Sequence, residues 1–212
     1  MKKSVEEHAA RFTEKAADYD ESKSEEYHAC ASLVIEHAAP EPDDVVLDMG
    51  TGTGAIAFGV ADRAARVIGR DVSEGMLDQA RTKAEERGVE NVEFGYGEFR
   101  DPNVDPETSV DVVTSNFALH HLDDAGKREA LAAWADTGAD RIVLGDLMFF
   151  EGTEGHEEFY GPEVDDPATV GTLVDAFTDL GFAVTAVERV HDMIGVIVAQ
   201  RIGEGDEVPG AE

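Results

Sequence analysis

Val45-Val46-Leu47-Asp48-Met49-Gly50-Thr51-Gly52-Thr53-Gly54 decides how this chain is read. An apolar run closes on an acid and then on glycines at every second position. Such a run, bounded by turn residues, reads as a buried strand entering a tight turn, with a helix over Ala55–Arg63 behind it. Glycine has no Cβ, so the backbone can approach a ligand closely. A helix N-terminus offers unpaired N–H groups to an anion at the same place. Gly50-Thr51-Gly52-Thr53-Gly54-Ala55 also fits the GxGxxG/A pattern of dinucleotide binders, a weak signal alone. Asp48 tilts the reading. A buried carboxylate there sits poorly beside a pyrophosphate, but well placed to receive, directly or through water, the ammonium of an amino-acid-like ligand.

Working outward, helical patterns cover residues 4–18 and 24–39, the second closed by Pro40 and Pro42. Beyond the first strand, Val45–Asp48, further strands are expected at Arg66–Gly69, Val92–Tyr96, Val110–Ser115 and Arg141–Leu147. Helices are expected from Ser73 to Gly88, at Asp123–Ala135 and at Ala168–Leu180, and final strands at Phe182–Val190 and Met193–Arg201. Alternating strands and helices mean a doubly wound α/β sheet with helices on both faces. Only His191 and Asp192 separate the last two strands, too few for a right-handed crossover, so they form an antiparallel hairpin. The chain of 212 residues reads as one domain over 1–202, with residues 1–40 a helical cap and 203–212 a disordered acidic tail.

Lys and Arg number 17 against 47 Asp and Glu, for a net charge of −30. The acids are spread along the chain, which predicts a protein adapted to concentrated salt, where a Debye length of about 3 Å at 1 M screens their repulsion. Acidity therefore loses most of its usual force against nucleic-acid partners. No apolar run is long enough to cross a membrane and the N-terminus lacks a signal-peptide core, so a cytoplasmic protein is expected. The single cysteine, Cys30, allows no internal disulfide and no cysteine metal cage, and reads as a small buried apolar residue.

Four stretches in order carry a family resemblance. They are Leu47–Gly54; Ile68-Gly69-Arg70-Asp71-Val72-Ser73-Glu74-Gly75-Met76-Leu77; Gly97-Glu98-Phe99; and Asp111-Val112-Val113-Thr114-Ser115-Asn116-Phe117-Ala118-Leu119-His120-His121-Leu122. With the terminal hairpin, the chain over about residues 8–202 resembles the class I methyltransferases dependent on S-adenosylmethionine (SAM). The resemblance implies a seven-stranded sheet of order 3-2-1-4-5-7-6 with strand 7 antiparallel, and SAM as cofactor. Gly50, Thr51, Gly52 and Gly54 would form the cofactor turn and Asp48 would face the ammonium. Asp71, 17 residues after Gly54, would accept from the ribose hydroxyls. Val72 and Met76 would wall the adenine, Glu98 would accept from its amine, and Phe99 would lie against the ring. Asn116 or Phe117 would touch the methionine part, and Tyr19 would close over the cofactor. Glu98 departs from the family's more frequent aspartate.

The acceptor half has little signature. His120 and His121 lie where an acceptor approaches, and either has the chemistry of a base near neutral pH. His156, Glu157, Glu158, Phe159 and Tyr160 fall in a long acidic connection over 149–167 that could form a lid or acceptor pocket. Their spacing lacks a second histidine on one helix face, so no metal site is expected. His8, His28 and His37 read as surface or packing residues. No Asn-Pro-Pro-Tyr or Asp-Pro-Pro-Tyr follows the fourth strand, no RNA-binding domain is added and no basic stripe exists, which favours a small-molecule acceptor over RNA or protein. A non-catalytic SAM-binding protein and an NAD-linked oxidoreductase are the rivals from other classes. Monomer and homodimer are both compatible with the sequence.

Overall fold

The computed structural model describes residues 4–151, 160, 161 and 163–203. Among them the strands are β1 (Val45–Met49), β2 (Arg66–Asp71), β3 (Val92–Tyr96), β4 (Val112–Asn116), β5 (Arg141–Phe149), β6 (Ala168–Thr169), β7 (Phe182–His191) and β8 (Ile194–Arg201). They form one sheet of order β3-β2-β1-β4-β5-β8-β7, with β6 joined to the end of β5. The first five are parallel, and β8 runs antiparallel to both β5 and β7. This is the order read from the sequence, the expected sixth and seventh strands being β7 and β8. Asp192 and Met193 make the hairpin turn, so Met193 stands outside the strand in which it was expected and His191 inside one.

The helices are α1 (Val5–Lys15), α2 (Glu25–Ala38), α3 (Ala55–Val60), α4 (Glu74–Arg87), α5 (Asp124–Ala135) and α6 (Val170–Asp179). Three boundaries differ from expectation for visible reasons. The stretch after Lys15 tightens into 3₁₀ turns at Ala16–Asp18 and Asp20–Ser22. α3 stops at Val60, where the Arg63 N–H returns to the Val60 carbonyl at 3.0 Å and its guanidinium is drawn to the Ile35 carbonyl at 2.9 Å. Ala168 and Thr169, expected in a helix, pair with Met148 and Phe149 as β6. The Thr169 hydroxyl then accepts the Thr172 N–H at 3.0 Å and caps α6.

The central strands are buried on both faces, which is why they read as continuous apolar runs. Leu47, Met49, Val113, Ile142 and Leu144 pack with Leu131 and Trp134 of α5 and Leu173 and Phe177 of α6. Their strand neighbours turn the other way, Val143 against Cys30 and Val34 of α2 and Val46 against Ala57 and Val60 of α3. Cys30 is fully buried. Trp134 is too, and its truncation to alanine would cost about 3–5 kcal/mol. Among the described residues no helix is long and apolar enough to cross a membrane. The expectations for His156, Glu157, Glu158 and Phe159, and for the tail from Glu204 onward, fall outside the described residues.

Candidate active site

The carboxyl ends of β1, β2 and β4 open onto one cleft of about 930 Å³, mouth included. Open α/β sheets bind ligands in this place, where the strand order reverses. At its floor Gly50 and Gly52 take left-handed φ of 69° and 54°. The N–H groups of Gly50 and Thr51 both donate to the Arg70 carbonyl, at 2.8 and 3.0 Å. A Cβ on Gly50 would stand 2.6 Å from the Ala118 Cβ and 3.3 Å from the Phe99 ring, so the glycine keeps open the space between turn and opposite wall.

Asp71 lies on the cleft wall. Its oxygens accept the Gly52 N–H at 2.9 Å and the Ser73 N–H at 2.8 Å. Burial pushes its carboxyl above the ordinary range, against the lowering pull of these N–H groups. An ionised carboxylate offers about four acceptor positions, so Asp71 has capacity left for further donors. Val72, Met76, Gly97, Glu98 and Phe99 continue the wall. Phe99 leans on Trp134, ring centroids 6.1 Å apart, and its carbonyl accepts the Trp134 indole N–H at 2.9 Å. The Tyr96 hydroxyl donates to Glu98 at 2.6 Å, engaging the side chain expected at the adenine amine.

Tyr19 also borders the cleft, and Lys23 places its ammonium 3.4 Å from the Tyr19 ring centroid and 4.0 Å from that of Tyr27. Burial pulls the Lys23 pKa down to about 7, against the opposing charge of Asp20. Asp20 fastens this segment to the turn: its carboxylate accepts the Thr53 hydroxyl at 2.6 Å and pairs with Lys83.

Other expected residues stand elsewhere. Asp48 is 1% exposed and off the cleft wall. Its oxygens accept the hydroxyls of Thr51 at 2.6 Å and Thr114 at 2.9 Å. Burial raises its pKa to about 6, opposed by these bonds. Thr51 and Gly54 support the turn from behind, Gly54 as the left-handed N-cap of α3. Of the two candidates ending β4, it is Phe117 that reaches the cleft, with a left-handed φ of 54°. Asn116 is buried behind it, its amide beside the Tyr27 hydroxyl.

The far end of the cleft is closed by Val5, His8 and Phe12 of α1 and by Arg100, Ala118, His121 and Leu122. His8 was expected at the surface or in packing. Its spacing with Val5 and Phe12 puts all three on one helix face, and its ring lies 4.9 Å from that of His121. His28 is exposed beside Tyr27 and His37 meets Glu188 at 2.5 Å, as expected of surface or packing residues.

His120 and His121 part company. His120 is off the wall and clamped by Asp146, which accepts its backbone N–H at 2.8 Å and meets Nδ1 at 2.5 Å. His121 Nδ1 lies 3.0 Å from Asp165 Oδ1, out of line for a hydrogen bond, and His120 Nε2 lies 3.8 Å from the same oxygen. Burial, with repulsion from His120, lowers the His121 pKa. Burial pulls the Asp165 carboxyl upward, but the neighbouring His121, the Gly161 N–H and the charge of His120 outweigh it and hold the value at about 2. Asp146 and Asp165 carried no sequence signal: they lie 26 and 45 positions beyond His120.

Residues 46–138 match the family model described as a methyltransferase domain. An uncharacterized methyltransferase of Geobacillus sp. (strain WCH70) is 28% identical over 198 residues, 87% of this chain and 90% of that protein. Aklanonic acid methyltransferase DauC of Streptomyces sp. (strain C5) is 30% identical over 147 residues, 67% of this chain and 66% of that protein. The fold is shared with DhpI, solved with SAM and HEP, at a TM-score of 0.71 and 21% identity, over 92% of this chain and 97% of that one. With the glycine turn, Asp71 and the apolar side chains of Val72, Met76 and Phe99 in one cleft, these matches identify the chain as a SAM-dependent methyltransferase.

Proposed function

We propose that the acceptor is a small molecule bound at the α1 end of the cleft, and that His120 and His121 serve its activation. One observation carries this: Gly50, Gly52 and Asp71, assigned to the cofactor, and His8, Phe12, His121 and Leu122 line the same cavity. When bound, SAM supplies a methyl group on a sulfonium, the electrophile of an in-line displacement in which positioning provides most of the acceleration. The chain's part is to hold and to exclude. Asp71 orients the ribose, Val72, Met76 and Phe99 flank the adenine, and Phe117 and the buried Asn116 amide border the methionine part. Tyr19 covers the turn. Asp48 acts from behind, by fixing Thr51 and by its charge. Phe12 and Leu122 keep water from the acceptor.

That DauC is named for aklanonic acid supports a small acceptor. RNA or protein acceptors and non-catalytic SAM binding are the weaker readings. We further propose a salt-adapted cytoplasmic protein, monomer or homodimer, on the net charge of −30. The test is calorimetric titration of SAM in about 2 M KCl (a medium in which the Debye length is under 3 Å), beside Asp71→Ala and an NAD control. Losing two charge-assisted hydrogen bonds of roughly 1.5–3 kcal/mol each should weaken binding at least 100-fold, with NAD inert. Absence of SAM binding by folded protein would overturn the cofactor assignment.

A further inference from the structure

His120, His121 and Asp165 bring three ligand atoms within 4.8 Å of one another. Two are imidazole nitrogens and one a carboxylate oxygen, from stretches far apart in sequence. Each is presented by a separate restraint. Asp146 occupies His120 Nδ1 at 2.5 Å, which leaves Nε2 turned to Asp165. A carboxylate behind a ligating histidine is the usual support of a metal-bound imidazole. Asp165 is held through its other oxygen by the Gly161 N–H at 2.9 Å, leaving Oδ1 for the histidines. Its segment is tied down next door, where the Asp166 N–H donates to the His120 carbonyl at 2.6 Å. The buried Lys127 ammonium joins the carbonyls of Leu122 and Asp166, at 2.6 and 2.5 Å.

We infer that His120 Nε2, His121 Nδ1 and Asp165 Oδ1 bind a divalent transition-metal ion at the acceptor end of the cleft, and that the acceptor atom is an oxygen coordinated to that ion. Two neutral imidazoles and one carboxylate suit Zn²⁺, Fe²⁺, Co²⁺ or Mn²⁺ better than Mg²⁺ or Ca²⁺, and three protein ligands leave positions open to substrate. Of the three, His121 alone lines the cavity, so an acceptor would reach those positions past its ring. On coordination the acceptor hydroxyl releases its proton to solvent. The oxygen lone pair then forms the O–C bond while the C–S bond breaks and its electron pair stays on sulfur. The inference rests on the acceptor reading above, in which the two histidines activate the acceptor, and replaces direct proton removal by metal-assisted ionisation.

The experiment is titration of Co²⁺ into chelator-stripped, tag-free full-length protein in KCl, followed by visible absorption, with SAM affinity measured calorimetrically on the same samples. The expected result is one equivalent bound with a ligand-field band. That band should be lost in His121→Ala and Asp165→Asn, and the affinity should fall about 10- to 100-fold in Asp146→Asn. Stripped protein that binds SAM but shows no Co²⁺ band would overturn the metal and leave the cofactor assignment intact. Equal Co²⁺ titrations of wild type and both ligand variants would also overturn it, placing the ion on the acidic surface. Failure to bind SAM counts against the cofactor assignment alone, because the Co²⁺ band is read independently. Circular dichroism checks each variant's fold, and His121→Asn replaces one that does not fold.

Discussion

Asp146 grips His120 at two points, accepting its backbone N–H with one oxygen at 2.8 Å and meeting Nδ1 with the other at 2.5 Å. Both side chains are almost wholly buried, so neither partner has water to fall back on. Asp146→Ala is expected to lower unfolding free energy by about 3–5 kcal/mol, the cost of leaving a buried partner unpaired. Urea unfolding at fixed KCl measures it. A loss under 1 kcal/mol would show that His120 finds another partner.

Gly50→Ala should separate binding from folding. The added methyl meets the Ala118 Cβ at 2.6 Å in a left-handed backbone. Strain of about 1–3 kcal/mol is expected, within what most folds tolerate, whereas SAM affinity should fall well over tenfold as turn and opposite wall are forced to shift. Calorimetry on protein with an intact unfolding transition checks this, and unchanged affinity would remove the turn from the cofactor site.

Two carboxylates give opposite pH dependences. Asp165 is held near 2 against an ordinary 3.8, so its contribution to stability is present above about pH 4 and disappears as pH falls towards 2. Asp48 is raised from 3.8 to about 6. Its contribution is present below 3.8 and is lost as pH rises through 6. Asp165→Asn should therefore flatten the acid side of the stability profile, and Asp48→Asn the slope between pH 4 and 6. Urea midpoints across pH 2–7 test both, and profiles parallel to wild type would refute the assignments.

Salt should act on the whole surface. With 47 acids against 17 bases, raising KCl from 0.1 to 2 M is expected to increase the melting temperature by roughly 10 °C, about 3 kcal/mol for a chain of this size. A thermal scan that is flat in KCl would count against salt adaptation.

Most of the sheet was legible because parallel strands buried on both faces announce themselves as apolar runs, and because two residues between β7 and β8 permit only a hairpin. β6 was not, since two residues carry no period. That Gly50, Gly52, Asp71, Val72 and Met76 border one cleft was legible for the same local reason, since they lie close to one another in sequence. Asp48 shows the limit. Its position was evident, but that Thr51 and Thr114 occupy its oxygens depends on β1 meeting β4. The acceptor half is non-local, with Asp146 and Asp165 reaching His120 and His121 only after the sheet forms. Val5, His8 and Phe12 were the avoidable miss, because their helical spacing was visible from the start.

That N-terminal helix has one further consequence. α1 supplies three cleft residues, yet none of its own residues is buried, and its anchorage includes a 3.0 Å contact between the hydroxyls of Thr13 and Ser73. Elements with so little buried surface open at a free energy far below that of global unfolding. α1 is therefore expected to open before the central sheet, and with it the end of the cleft that Val5, His8 and Phe12 border. Amide hydrogens of α1 should exchange with solvent long before those of β1 and β4, and a ligand that fills this end of the cleft should slow them.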